Sequence, residues 1–548
     1  MTQSPQDGSS HRATLESLAR ATRAGRVDRR EFLALASVLG AGAAAAYGAL
    51  GLAVPGVARA AEPRRGGVLR IGQPVLEITD PRTYDWPEKS NVARQFCEPL
   101  VRWEADGRFS PSLLEAWEVS EDAMTYTLHV RPGVTWTNGD AFTADDVIHN
   151  IRRFADRRIE GNSMAARMIA LRDDGADTAA DAAIERVDDL TVRLNLRIPD
   201  ISLIPSFGDY PALCVHPSFG DSSDLAQEPI GTGAFELVSF TIGERAVLKR
   251  REAGAWWGGE AWLDGIEFID YGTDQAALMA GFADGDIDMN DETVADFDAP
   301  MADLGLVRQS AVTATTMVAR MNMGVEPFTD QRVRNAFQLA VDNAVVLALG
   351  GAGLGAVAEN HHVAPVHPEY ADLPKIAPDP ARARALLAEA GHAETEFELI
   401  SIDEGSLSTS ADAIAAQLRD AGITIKRTIL PGATFWNDWT KYPFSTTSWG
   451  ARPLGVQVYA LAYRSGEAWN ESGHANPDFD ATLAAALGIF DADKRRPLMA
   501  EMERMLQASG VLIQPYWYEL IMHHTPRLQG YSRHPNREMH LERVWLAA

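Results

Sequence analysis

Between residues 125 and 131 the chain alternates strictly. Tyr126, Leu128 and Val130 point one way, and Thr125, Thr127, His129 and Arg131 point the other. A period of two predicts a half-buried strand. Pro132-Gly133 then ends the ladder, and Asn138-Gly139 can take the positive φ of a tight turn. Thr143 followed by Asp145 and Asp146 predicts a capped helix start, with acids near its positive end. A strand, a turn and a helix start in one short stretch commit this part of the chain to mixed α and β structure.

The rest of the sequence repeats the alternation of signals. Strands are predicted at 67–71, as a pair within 228–251 with Gly243 at the hairpin, at 396–402 and at 423–430. Asp330 predicts an N-cap for a helix over 331–349, with Val333, Phe337, Ala340, Val341 and Ala344 on one face. Asp379-Pro380 opens a second helix that Gly391 closes. Pro477 and Asp493 open two more, the latter running through Met499, Met502 and Leu506. The pattern predicts an α/β protein, organised as two lobes with the chain crossing between them more than once.

The first 60 residues require separate treatment. Arg29-Arg30-Glu31-Phe32-Leu33 precedes a stretch from residue 32 to 54 without a charge, and Ala58-Arg59-Ala60 offers a small-x-small cleavage site. This resembles a twin-arginine export leader, although Asp28 stands where a hydroxyl residue is usual and Ala34 where a lysine is common. The apolar stretch is rich in Ala and Gly and stops at Pro55, so cleavage after Ala60 is expected in preference to a retained anchor. No cysteine lies near residue 60, which excludes a lipid-modified N-terminus. The mature protein is therefore expected to be soluble and periplasmic.

Composition narrows the partners. The 548 residues carry a formal net charge of −26, and because residues 1–60 hold a net +3, the remainder sits near −29. Such acidity argues against nucleic acid and anionic membrane surfaces, which need clustered Lys and Arg. Cys97 and Cys214 are the only cysteines. Two cysteines build neither a metal cluster nor a disulfide framework; an oxidising compartment would let them pair, but Cys97 beside Phe96, Leu100 and Val101 reads more simply as a buried thiol.

Several segments, in order and in spacing, resemble bacterial extracytoplasmic solute-binding protein family 5, the peptide, opine and nickel type that feeds ATP-driven importers. They are 98–152 (EPLVRWEADGRFSPSLLEAWEVSEDAMTYTLHVRPGVTWTNGDAFTADDVIHNIR), Pro229-Ile230-Gly231-Thr232-Gly233, and Met321-Asn322 through Pro327-Phe328-Thr329-Asp330-Gln331-Arg332-Val333-Arg334. The helix 383–391, Asn476-Pro477-Asp478-Phe479-Asp480 and the late strand 511–518 complete the set. Together they cover nearly all of 66–535. The resemblance implies a bilobal periplasmic-binding-protein-like fold (type II, with an extra subdomain) closing on ligand at a hinge. It implies lobe I from 61–98, 228–312 and 515–548, an accessory subdomain over 99–227, and lobe II over 313–514. It also implies a monomer that captures a small-molecule ligand and docks on a membrane permease, without a cofactor and without catalysis.

Asn360, His361 and His362, with His367 and Glu369, suggest metal ligation, but the spacing fits no standard metal motif and Pro365 and Pro368 extend the segment. The resemblance places this region in the interdomain cleft, so Asn360, His361 and His362 are expected to hydrogen-bond ligand. Gly350 to Gly355 follows a predicted helix and lacks both the G-x-G-x-x-G frame and a Walker lysine. No G-x-S-x-G or H-E-x-x-H occurs, so hydrolase chemistry has no support. The richest stretch holds Trp436, Trp439, Trp449, Gly450, Arg452, Pro453, Tyr459 and Trp469, which offers ring walls and a guanidinium for carboxylate.

Family dipeptide binders carry an Asp after this Trp for the ligand's α-ammonium, and here the corresponding residue is Arg452. The reversal predicts an anionic ligand group, with Trp449, Arg452 and Trp469 at the site and Tyr84, Asp85 and Trp86 supplying an aromatic lid and a counter-charge. Two other classes are compatible with the sequence: a twin-arginine-exported hydrolase or oxidoreductase, and a metal-chelate binder of the same fold.

Overall fold

The computed structural model describes residues 63–548 except Ser222, Ala253, Pro368, Glu404 and Ala548, together with parts of 15–50 that include the helix Arg29–Val38. The predicted cleavage site at 58–60 lies outside the described residues.

The organising element is the strand Val307–Met321, fifteen residues long. Its first half, Val307 to Val312, pairs antiparallel with the strand Tyr516–His524, and after a register shift its second half, Thr316 to Met321, pairs with Phe444–Trp449. These strands join two halves of one twelve-stranded mixed sheet. On one side of Tyr516–His524 lie Met289–Asn290, Val68–Gly72, Gly265–Ile269, Arg245–Arg250 and Phe235–Thr241. Beyond Val307–Met321 on the other side lie Phe444–Trp449, Phe397–Ile402 and Ile425–Leu430. A separate four-stranded antiparallel sheet holds Leu114–Val119, Thr125–Val130, Thr191–Asn195 and Ile184–Asp188.

Three large apolar clusters follow this division. One fills the first half of the long sheet and contains Leu69, Phe96, Phe268 and Met522. A second fills the other half, around Phe328, Phe337, Phe397 and Phe444. The third joins the four-stranded sheet, through Tyr126, Leu128 and Phe154, to Tyr459, Phe479 and Met499 of the helices Gly455–Ala462, Pro477–Leu487 and Ala492–Ser509. The small sheet is thus packed against helices that follow Phe444–Trp449 in sequence. The helix Arg29–Val38 also adds to this cluster, with Phe109 N donating to Ser37 Oγ at 2.8 Å and Trp117 Nε1 to the Val38 carbonyl at 3.0 Å.

Local expectations were met where the signal was local. Tyr126, Leu128 and Val130 are buried, and Thr143 forms a capping box with Asp146 at the start of Ala144–Ala155. Gly231 and Gly233 run against the 95–97 backbone. A Cβ at Gly231 would lie 1.7 Å from the Phe96 carbonyl oxygen, so no other residue fits there.

Three expectations need correction. The helix expected over 331–349 is two helices, Gln331–Leu339 and Asn343–Gly350, because Asp342 caps the second by accepting from Ala344 N at 2.9 Å. Ala344 is consequently exposed. The last long helix is capped by Asp491 rather than opened at Asp493. The late strand is two strands, Leu512–Ile513 and Tyr516–His524. Cys97 and Cys214 are unpaired and buried, in different apolar clusters.

Candidate functional site

The strand Phe444–Trp449 ends in Gly450-Ala451-Arg452-Pro453, and the helix Gly455–Ala462 starts directly afterwards, with Gln457 Oε1 accepting from Leu454 N at 3.2 Å. The strand therefore delivers Trp449 and Arg452 to the junction between the sheet and the third cluster. Trp449 is held by Glu471, whose Oε1 accepts from its Nε1 and from Thr447 Oγ1, both at 2.7 Å. The other oxygen of Glu471 accepts from Arg320 Nε at 2.9 Å. Arg320 also donates to the carbonyls of Trp439 and Tyr442, so one buried ion pair fixes both a tryptophan ring and the loop that carries its neighbour.

From this anchor a row of rings extends in both directions. Trp449 meets Trp439 at 6.2 Å between centroids, Trp439 meets Trp436 at 6.3 Å, and Trp436 meets Trp86 edge-on at 5.0 Å. On the other side Trp449 meets Trp469 at 5.9 Å, and the Arg167 guanidinium sits 5.5 Å above the Trp469 ring. Every ring of the row except Trp449 is only partly buried, so the row presents an aromatic wall. His362 stands edge-on to Trp449 at 5.5 Å, and its Nδ1 shares a 2.7 Å hydrogen bond with Tyr463 Oη. Burial, with His367 and His361 adding to it, pushes the His362 imidazole down to about 3, so it is neutral at physiological pH.

The charged end of the row is a shared carboxylate. Asp209 Oδ2 accepts from Arg167 Nη2 at 2.8 Å, and Arg452 Nε approaches the same oxygen at 3.3 Å, an ion-pair contact without hydrogen-bond alignment. Asp209 Oδ1 accepts from Tyr210 N at 2.9 Å. The three charged side chains are almost fully buried. Burial works to raise the Asp209 carboxyl, but Arg452 and then Arg167 outweigh it and hold it below the usual carboxylate range. Arg452 also lies 5.5 Å from the Tyr210 ring centre, and the Tyr210 hydroxyl donates to the Asp85 carbonyl at 3.0 Å. Its Nη1 donates to the carbonyls of Gly450 and Ala451.

The residues expected at the site separate into two sets. Trp86, His362, Trp449, Arg452 and Trp469 all belong to the ring row or its charged end, and Asp85 reaches it through its carbonyl. The Asp85 carboxylate is engaged by Lys89 Nζ at 2.9 Å. Tyr84 is buried among the first cluster, with no hydrogen-bond partner for its hydroxyl among the described residues. Asn360, at φ +62°, serves the backbone: its Oδ1 accepts from Gln514 N at 2.7 Å and from Asn343 Nδ2 at 3.0 Å. His361 is fully buried, with Nε2 3.7 Å from Glu359 Oε2 and its carbonyl accepting from Tyr459 Oη at 2.8 Å. Arg167, Asp209, Tyr210 and Glu471 were not singled out in the sequence. Nothing in Gly208-Asp209-Tyr210-Pro211 signals a partner more than 200 residues away.

Two sheet halves joined by long crossing strands, with an aromatic and charged wall where distant segments meet, define a bilobal solute receptor. Residues 108–471 match the family described as bacterial extracellular solute-binding proteins, family 5 Middle, and the chain belongs to this family. The dipeptide-binding protein DppE of Bacillus subtilis (strain 168) is 24% identical over 511 residues, covering 85% of this chain and 90% of DppE. Among solved structures, the Escherichia coli murein tripeptide binding protein MppA superposes with a TM-score of 0.79 at 20% identity, over 89% of this chain and 99% of MppA. AgaA from A. tumefacien R10, in complex with agropinic acid, gives 0.77 at 22% identity, over 88% of this chain and 99% of AgaA. The expected fold class and family are therefore established, and with them the role of solute-binding component of an ABC importer.

Proposed function

We propose that this protein captures a peptide-like or small anionic organic solute between its lobes and delivers it to the membrane permease of an ABC importer. The single observation that supports the anionic reading is the position of Arg452. It is buried at the end of the tryptophan row and shares its only ion-pair carboxylate, among the described residues, with Arg167. Where a dipeptide receptor would present an acid to an α-ammonium, this site presents a cation. Trp449, Trp469 and Trp86 supply apolar walls, His362 a neutral hydrogen-bonding edge, and Arg452 the charge that selects a carboxylate, sulfonate or phosphonate.

The same reading includes an export leader over residues 1–60 cleaved after Ala60, a monomeric periplasmic product, and no catalytic step. It divides the chain into lobe I (61–98, 228–312, 515–548), an accessory subdomain (99–227) and lobe II (313–514). No helix among the described residues is long and apolar enough to cross a membrane.

The test is a thermal-shift screen of residues 61–548 against peptides, amino-acid derivatives, opines and sugars, followed by titration of the hit into wild type and Arg452→Ala. A ligand at 100 times its dissociation constant should stabilise by about 2.7 kcal/mol. Equal affinity of the two proteins for the same solute would refute the role given to Arg452.

A further inference from the structure

The charged end of the site has an uneven balance. Arg167 and Arg452 come from segments almost 300 residues apart in sequence, yet both converge on the single oxygen Asp209 Oδ2, at 2.8 and 3.3 Å. The other oxygen of Asp209 is engaged by Tyr210 N. Among the described residues no second carboxylate lies in ion-pair contact with either guanidinium, so two cations share one anion.

Glu538 also acts on Arg452 from a distance, but each neighbouring charge has its own direct partner. Arg94 Nη1 pairs with Glu538 Oε2 at 2.9 Å, Arg320 pairs with Glu471, and Asp85 pairs with Lys89. His534, beside Glu538, is held neutral by burial. Counted by direct contact, the junction of Arg167, Asp209 and Arg452 therefore holds one positive charge more than its carboxylate matches, in a place where an unpaired charge is costly.

Building on the anionic-solute reading, we infer that Arg167 is a second specificity-determining residue and Asp209 a built-in counter-anion, so that the site selects monoanions over both neutral and dianionic solutes. The ligand's single negative group completes the pair that Asp209 leaves open. A monoanion leaves the junction neutral, a neutral solute leaves one guanidinium unmatched, and a dianion brings one negative charge too many. Arg167 lies over the Trp469 ring, so the negative group is adjacent to a ring face, and a flat ligand body extends along Trp469 and Trp449.

The test uses three flat probes of one shape and different charge: terephthalamide (neutral), terephthalamate (−1) and terephthalate (−2), titrated at pH 7.5 by tryptophan fluorescence and calorimetry. Wild type should bind terephthalamate at least about tenfold more tightly than either other probe. Asp209→Asn adds one net positive charge, so terephthalate should become the tightest. Arg167→Met removes one, leaving Arg452 matched by Asp209, so terephthalamide should bind at least as well as terephthalamate. If Asp209→Asn does not fold by circular dichroism, Arg167→Met alone carries the test. A preference for terephthalamate that persists in Arg167→Met, or a wild type that does not discriminate among the three probes, overturns the inference. The anionic-solute reading is judged separately, by Arg452→Ala against the solute found in the screen.

Discussion

Glu471→Gln is the most informative perturbation of the site, because it removes a charge while leaving the shape in place. Glu471 and Arg320 have side chains that are 4% and 1% exposed, with Nε and Oε2 2.9 Å apart. Removing one partner of such a pair leaves a buried charge without its counter-ion, a loss of about 3–5 kcal/mol. The glutamine can still accept from Thr447 Oγ1 and Trp449 Nε1 through its carbonyl. Arg320 keeps its bonds to the Trp439 and Tyr442 carbonyls, so the lower end, about 3 kcal/mol, is expected. At about 2–4 °C per kcal/mol for a lobe of this size, the melting temperature should fall by about 6–12 °C.

The double variant Arg320→Met/Glu471→Gln separates the charge effect from general damage to packing. If the cost of Glu471→Gln is an orphaned guanidinium, removing that guanidinium as well should recover much of it, leaving the double variant far less destabilised than the sum of the singles. Thermal melts followed by circular dichroism give the stabilities, and fluorescence titration of the solute reports whether Trp449 keeps its place. A Glu471→Gln variant that melts within about 2 °C of wild type, or a double variant as unstable as the sum, would show that the pair does not hold this ring in the way argued.

Trp86→Ala removes the edge-on contact with Trp436 at 5.0 Å, and an aromatic pair of this kind contributes about 0.5–1.5 kcal/mol beyond its area. Solute affinity should fall by about two- to tenfold, and small-angle scattering should show a larger radius of gyration for the empty protein; unchanged affinity and dimensions would exclude a closing role for Trp86. Glu503 is fully buried, and burial, with the nearby Glu369 and Glu359 adding to it, pushes its carboxyl up to about 9. The folded protein therefore keeps a proton that the unfolded chain releases near 4.5, so this group's contribution to stability falls as pH rises from about 4.5 to about 9. Glu503→Gln should match wild type in melting temperature near pH 4 and exceed it increasingly toward pH 8; a difference that does not change with pH would refute the assignment.

How much was legible depended on how local each signal was. The strand Thr125–Val130 and the capped helix start at Thr143 are written in side chains within a few residues of one another, and both stand as read. The break at Asp342 was missed because apolar periodicity runs on across it while a single carboxylate competes for the helix N-terminus. The strand Val307–Met321 was not read at all. Its sequence, VRQSAVTATTMVARM, intersperses Ala and Arg among Val and Thr without a clean alternation, and it is extended because Tyr516–His524 and Phe444–Trp449 pair with it from more than 100 residues away.

At the site the same rule decides what a sequence can disclose. Trp449, Arg452 and Trp469 were legible because rings and a guanidinium crowd one loop-rich stretch. Asp209 and Arg167 were not, since the meaning of each depends on Arg452, a residue hundreds of positions away. The segment 98–152 resembled the family most clearly, yet it lies among the strands and helix of the small sheet and contributes none of these three charges. The small sheet's region nevertheless supplies Arg167 and Asp209, and its cluster is continuous with the helices that follow Arg452. The carboxylate that Arg452 meets there, Asp209, is shared with Arg167. A buried charge at a contact between distant segments thus takes its partners from the fold, and the spacing of residues in the tryptophan loop alone does not disclose them.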